Sequence, residues 1–120
     1  MLELVVSNSE PPAQHIRQHI DDHAPELALC VLGVTNGHVP YTALKTTVTE
    51  HLYAWWRLSV PAGPAQDSYE ATYWYLVHLL ESLEEHQLLG NHFLQFKANN
   101  AAQFLLGLGE RPEKAQGIRP

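Results

Sequence analysis

The amino-acid sequence predicts a mainly α fold, a compact bundle of four or five helices. Apolar residues recur at intervals of three and four along two long segments, which begin near Tyr41 and Tyr69. Proline, glycine and asparagine clusters separate these segments from their neighbours. With 120 residues, of which 45% are apolar and 17% charged, the chain has room for one hydrophobic core. A short strand at the amino terminus is compatible with the β-prone run Leu2 to Val6.

The first predicted helix runs from Pro12 to His23, because proline suits a first helical turn and Ser9 can cap it. Pro25 is expected to interrupt this helix. The apolar run 27–34 fits either a second helix or a buried strand that leads into an Asn-Gly hairpin, and periodicity does not separate the two. Pro40, just beyond that turn, favours the helix.

The two central helices are predicted from their apolar stripes. The first continues to about Leu58 and carries the stripe Tyr41, Leu44, Val48, Leu52 and Trp55. Residues 61–66 form the clearest break in the chain, after which Asp67 or Ser68 caps the next helix. We expect one long helix from Tyr69 to Leu89, aromatic in its first half and acidic in its second.

The last apolar segment, His92 to Leu108, is predicted to be helical with a weak point at Asn99 and Asn100. The residues that follow are rich in charge, proline and glycine, which is typical of a solvated tail. The expected organisation is therefore a single helical domain over residues 1–109 and a flexible carboxy-terminal tail over residues 110–120.

The charge distribution disfavours several partners. The formal net charge is −6, and no lysine or arginine occurs between Arg57 and Lys97. Such a surface is a poor match for nucleic acid or an anionic membrane. The chain lacks the features of a signal peptide and any apolar stretch of the ~20 residues needed to span a bilayer. Cys30 is the single cysteine, so no intrachain disulfide forms. We expect a cytoplasmic protein.

The order of the segments can be laid out like a winged helix-turn-helix domain, with residues 25–34 as a β-segment. The helix that starts at Tyr69 would then enter the major groove of DNA. That helix is acidic and has no basic side chain to reach a phosphate or a guanine edge. A DNA-binding regulator is therefore the disfavoured alternative.

The chain holds eight histidines, and three of them, His15, His19 and His23, repeat at intervals of four. On a continuous helix this spacing places them along one face, a geometry that lets imidazoles share a metal ion. A metal-binding protein is thus one alternative function, and a polar surface face is the ordinary interpretation of the same pattern. Protonation of all eight would move the formal charge from −6 to about +2, so a pH response is conceivable.

Catalysis is disfavoured because no known catalytic or cofactor-binding motif is present. Glu50, His51 and Tyr53 offer an acid, a base and a phenol, but three such residues on one helix are common. We predict no bound cofactor.

The function that the sequence favours is a non-enzymatic protein-interaction or regulatory module. The aromatic residues exceed what one small core needs, and aromatic side chains anchor protein interfaces. The predicted interaction residues are Trp55, Trp56, Tyr73, Trp74 and Tyr75. The expected partner is another protein or a second copy of the chain. A homodimer is favoured, because it would bury the apolar front of the helix that starts at Tyr69.

Overall fold

The computed structural model describes residues 13–120, which form five α-helices and confirm the mainly helical bundle. These are α1 (Ala13–Thr35), α2 (Tyr41–Trp56), α3 (Ser68–Ser82), α4 (Glu85–Gly90) and α5 (His92–Leu105). The strand predicted at Leu2 to Val6 lies outside the described residues. Within residues 13–120, no helix combines the length and the apolar character that crossing a bilayer requires.

Helix α1 is continuous from Ala13 to Thr35, so the predicted interruption at Pro25 is wrong and residues 27–34 are helical. A proline inside a helix removes one backbone hydrogen bond. The loss is offset by burial on both sides of it, since Ala24, Leu27 and Ala28 are fully buried.

Helix α3 ends at Ser82, which makes the predicted single helix from Tyr69 to Leu89 wrong beyond that residue. The reason is a cation from another helix. The Lys45 ammonium of α2 donates hydrogen bonds to the carbonyls of Leu80 and Leu83, at 2.9 and 2.7 Å. These contacts stabilise the carbonyls at the end of α3, where the Tyr41 hydroxyl also donates to Leu83 at 2.8 Å. Glu84 then caps α4, with its backbone N–H bonded to the Gln87 side chain at 2.8 Å.

The core is built where α1 packs against α2, α3 and α5. At its centre the rings of Trp55 and Trp74 meet edge to face, with centroids 4.7 Å apart, and Tyr73 lies 4.8 Å from Trp74. Small residues on α5 let that helix approach closely, and the buried ones include Ala98 and Ala101.

Helix α5 runs through the predicted weak point without a break. The side-chain oxygen of Asn99 accepts a hydrogen bond from the Thr35 hydroxyl at 2.9 Å, which ties α5 to the end of α1. This contact with a distant residue compensates for the low helix propensity of asparagine.

Residues 110–120, for which composition predicts a solvated tail, lie against α3. The Gly117 amide donates to the carbonyl of Ala71 at 2.9 Å. The Arg119 guanidinium binds the Glu70 carboxylate through two contacts of 2.5 and 2.9 Å. Glu70 is only 1% exposed, and a buried carboxylate needs a cation and hydrogen-bond donors. Composition alone does not predict this docking, because Glu70, the partner of Arg119, lies 49 positions earlier in the sequence.

We predict that Gly117→Ala destabilises the protein by about 1 to 3 kcal/mol, because a methyl group at this position would collide with the backbone of Trp74 and Tyr75. Gly90→Ala is the matched control, since a methyl group there meets nothing within 4 Å. Its free energy of unfolding should change by less than about 1 kcal/mol. Urea denaturation of both variants measures the difference, and equal midpoints would contradict the docking of this segment.

Candidate functional site

Three histidines meet inside the bundle. The spacing of four places His19 and His23 on one face of α1, and this face is turned towards His51 of α2. The imidazole centroids of His19 and His23 are 4.1 Å apart, and those of His23 and His51 are 4.5 Å apart. His19 is 6% exposed and His51 is 3% exposed. We call these three residues the histidine cluster.

Hydrogen bonds fix the orientation of the cluster. The Nε2 atom of His51 lies 2.6 Å from a carboxylate oxygen of Glu26, and its Nδ1 atom lies 3.2 Å from the Tyr73 hydroxyl. A carboxylate only accepts, so a neutral His51 donates from Nε2 and accepts from Tyr73 at Nδ1. The Nδ1 atom of His23 donates to the backbone carbonyl of His19 at 2.7 Å. His51 and Tyr73 therefore satisfy each other in their neutral forms.

Burial favours the neutral forms of His19 and His51. It lowers the pKa of His19 to about 4, with further contributions from His23 and His51. Burial also lowers the pKa of His51, although the hydrogen bond to Glu26 acts in the opposite direction. The pKa of the Tyr73 phenol is raised, again mainly by burial. None of these three groups is prepared to act as a charged nucleophile or a solvent-accessible base.

Of the three predicted metal ligands, the structure brings His19 and His23 together, whereas His15 lies on the solvent-exposed surface. The His15 side chain is exposed to solvent, that of His19 is buried in the core, and that of His23 is half-buried. One nitrogen of His23 is already bonded to the backbone of α1. Across residues 13–120, no group of three or more histidine, cysteine, aspartate or glutamate side chains is placed to hold a metal ion.

The acid, base and phenol noted on α2 are also separated. Glu50 and Tyr53 are exposed, while His51 is buried on the other side of the helix. Sequence reasoning missed the actual partners of His51, which are Glu26 and Tyr73. They come from α1 and α3, so no local spacing could reveal them.

The predicted interaction residues divide into two groups. Trp55, Tyr73 and Trp74 are fully buried, so they fill the core of a single chain. Trp56 is 51% exposed, and Tyr75 is half-buried. The apolar front of α3, on which the predicted homodimer rests, is therefore covered by the chain itself.

An exposed aromatic surface lies instead at the start of α5. Phe93 and Phe96 are 66% and 61% exposed, and they line a cleft of about 530 Å³ that we call the α5 cleft. The other lining residues are Tyr75, Lys97, Asn100, Pro112, Glu113 and Lys114. Helical spacing in the sequence could have predicted this exposed surface, because Phe93 and Phe96 fall on the side of α5 opposite its buried alanines.

The described residues thus define a small all-α protein with a buried histidine cluster and an exposed aromatic cleft. Comparison of the chain with protein-family models, with curated proteins and with solved structures gave no match.

We predict that Tyr73→Phe lowers the free energy of unfolding by about 1 to 2 kcal/mol, because it leaves Nδ1 of the buried His51 without a donor. Tyr53→Phe removes the same hydroxyl from a side chain that is 56% exposed and should change the stability by less than about 0.5 kcal/mol. Urea denaturation near neutral pH compares the two variants. Equal effects would show that the hydrogen bond to His51 adds nothing.

Proposed function

We propose that this chain is a protein-interaction module that binds an acidic, apolar segment of another protein in the α5 cleft. The supporting observation is the pair of phenylalanines that stand exposed beside a cleft of about 530 Å³. The proposal retains the class of function favoured by the sequence and moves its contact surface from α3 to α5.

The apolar part of the proposal rests on Phe93, Phe96 and Tyr75. Two neighbouring phenylalanine rings more than half exposed leave a large apolar area in water, whereas burial against a partner would stabilise the complex. The cleft gives such a partner a concave site for an aromatic or aliphatic anchor.

The acidic part rests on the distribution of lysines. The whole chain has three lysines and a formal net charge of −6, yet two of those lysines, Lys97 and Lys114, line the α5 cleft. Glu113 is the single acidic residue among those that line it. The Lys97 ammonium lies 5.1 Å from the centroid of the Phe93 ring, so positive charge and apolar surface are adjacent. Charge complementarity therefore favours a partner with carboxylates beside its anchor.

A second aromatic pair provides the comparison surface. Tyr53 and Trp56 are 56% and 51% exposed, and they line a cleft of about 270 Å³ that also holds Glu81. This cleft is half the size of the α5 cleft. It therefore makes a suitable control surface on the same molecule.

We predict that random peptides displayed on phage, selected on the full chain at moderate salt, become enriched in sequences with an aromatic or aliphatic residue flanked by Asp or Glu. A synthetic peptide of the enriched sequence should bind the double variant Phe93→Ser, Phe96→Ser at least about 10-fold more weakly, since two anchor contacts are lost. Fluorescence anisotropy of the labelled peptide measures the affinity.

The matched control is Tyr53→Ser with Trp56→Ser, which removes a similar aromatic area from the other cleft and should leave the affinity unchanged. Circular dichroism of both double variants checks that the helices remain.

Enrichment of basic peptides would contradict the proposed charge complementarity. A chain that is dimeric by light scattering and becomes monomeric in the Phe93→Ser, Phe96→Ser variant would assign the cleft to a second copy and overturn the proposal.

A further inference from the structure

We propose that the first half of α1, residues 13–24, is a pH-sensitive latch. Protonation of the histidine cluster releases this half from α2 and α3, while the second half of α1 stays in place. Release uncovers the faces of Trp55, Tyr73 and Trp74, which the closed latch covers. The inference is independent of the α5 cleft.

The first argument is the contact between the imidazoles. Two charged rings at the separations found here, 4.1 and 4.5 Å, would repel each other strongly in a partly buried setting. His19 is the most constrained, because its Nε2 atom is buried and has no hydrogen-bond partner within residues 13–120. A proton added there would find no acceptor. Protonation of His19 is therefore unfavourable while α1 stays in place.

The second argument is that no carboxylate of residues 13–120 forms an ion pair or a hydrogen bond with His19. Glu26 contacts His51, but its side chain is 66% exposed, so its charge is well screened by water. Glu70 is occupied by Arg119 and by the indole N–H of Trp74 at 2.9 Å. Among the described residues, the charged and titratable groups around the cluster are Asp22 and Glu26 from α1, the exposed Glu50 from α2, Glu70 and Tyr73 from α3, and Arg119 through Glu70.

The third argument is the position of Pro25, directly after the latch. Proline has no backbone N–H, so the hydrogen-bond ladder of α1 lacks one bond at this point. Beyond it, Leu27 and Val31 are fully buried, and Thr35 is bonded to Asn99. Before it, the latch is held by Ile20, Ala24, the histidine cluster and the exposed pair between Arg17 and Asp67 at 2.7 Å. Apart from the contact between Glu26 and His51, the two halves are therefore held by different contacts among the described residues.

The direction of the pH effect follows from linkage. The pKa of His19 is lowered in the closed state to about 4 from 6.5, so the neutral ring stabilises the closed state at neutral pH. This contribution is complete above pH 6.5 and is lost as the pH falls from there towards 4. Between about pH 7.5 and pH 5, His19 alone should raise the opening equilibrium constant about 30-fold.

Hydrogen exchange measured by mass spectrometry tests the latch on the full chain at about pH 7.5 and pH 5. After correction for intrinsic exchange rates, protection factors of peptides within residues 13–24 should fall about 30-fold, whereas those within residues 27–35 should change less than about 3-fold. Equal losses in both peptides would show global unfolding and overturn the proposal. Unchanged protection in residues 13–24 would also overturn it.

The variant His19→Gln removes the titrating group and should reduce the change in residues 13–24 to less than about 5-fold. His15→Gln is the matched control, because His15 lies one turn earlier on the same helix with an exposed side chain, and it should retain the full change. His23→Gln provides a second variant at a half-buried position, in which the change should also be smaller than in the parent. A full pH response in both His19→Gln and His23→Gln would overturn the assignment to the cluster.

Discussion

The packing of Trp55 against Trp74 is the contact on which the rest of the described structure depends. It joins α2 to α3, and His19 of α1 packs on both indoles, with ring centroids 5.2 and 6.3 Å away. The indole N–H of Trp74 donates to Glu70, which in turn binds Arg119. One aromatic contact therefore connects the histidine cluster on one side with the carboxy-terminal segment on the other.

Burial affects the charge of His19 on one side and of Glu70 on the other, and the neighbouring groups decide which protonation state each residue adopts. For His19, burial and the adjacent imidazoles act together, so the neutral form is favoured. For Glu70, burial alone would raise the pKa, but hydrogen bonds from Arg119, the Gln66 amide and Trp74 bring it below its ordinary value. The core thus contains a carboxylate that remains charged close to an imidazole that remains neutral. Because Glu70 and His19 each depend on their own neighbours, few substitutions around either residue should be tolerated.

Local pattern was sufficient for most of the helical architecture and for little of the candidate site. The apolar stripe of α2 and the break before Asp67 could be read directly, because helix faces and caps depend on neighbouring residues. The end of α3 depends on Lys45, which lies 35 residues from Leu80. The continuity of α1 through Pro25 depends on burial by other helices. The spacing of His19 is compatible with a metal-binding face or a polar surface face, since spacing alone does not show whether a face meets solvent or tryptophan.

The pair between Glu70 and Arg119 also has a consequence for the timing of folding during synthesis. The two residues are 49 positions apart, so the ribosome makes α3 long before the cation that Glu70 needs. Until Arg119 leaves the exit tunnel, hydrogen bonds from Gln66 and Trp74 offset only part of the desolvation penalty of burying the Glu70 carboxylate. The tryptophan core should therefore close late, after α5 has been made, and a nascent chain paused before Arg119 should keep Glu70 in contact with water.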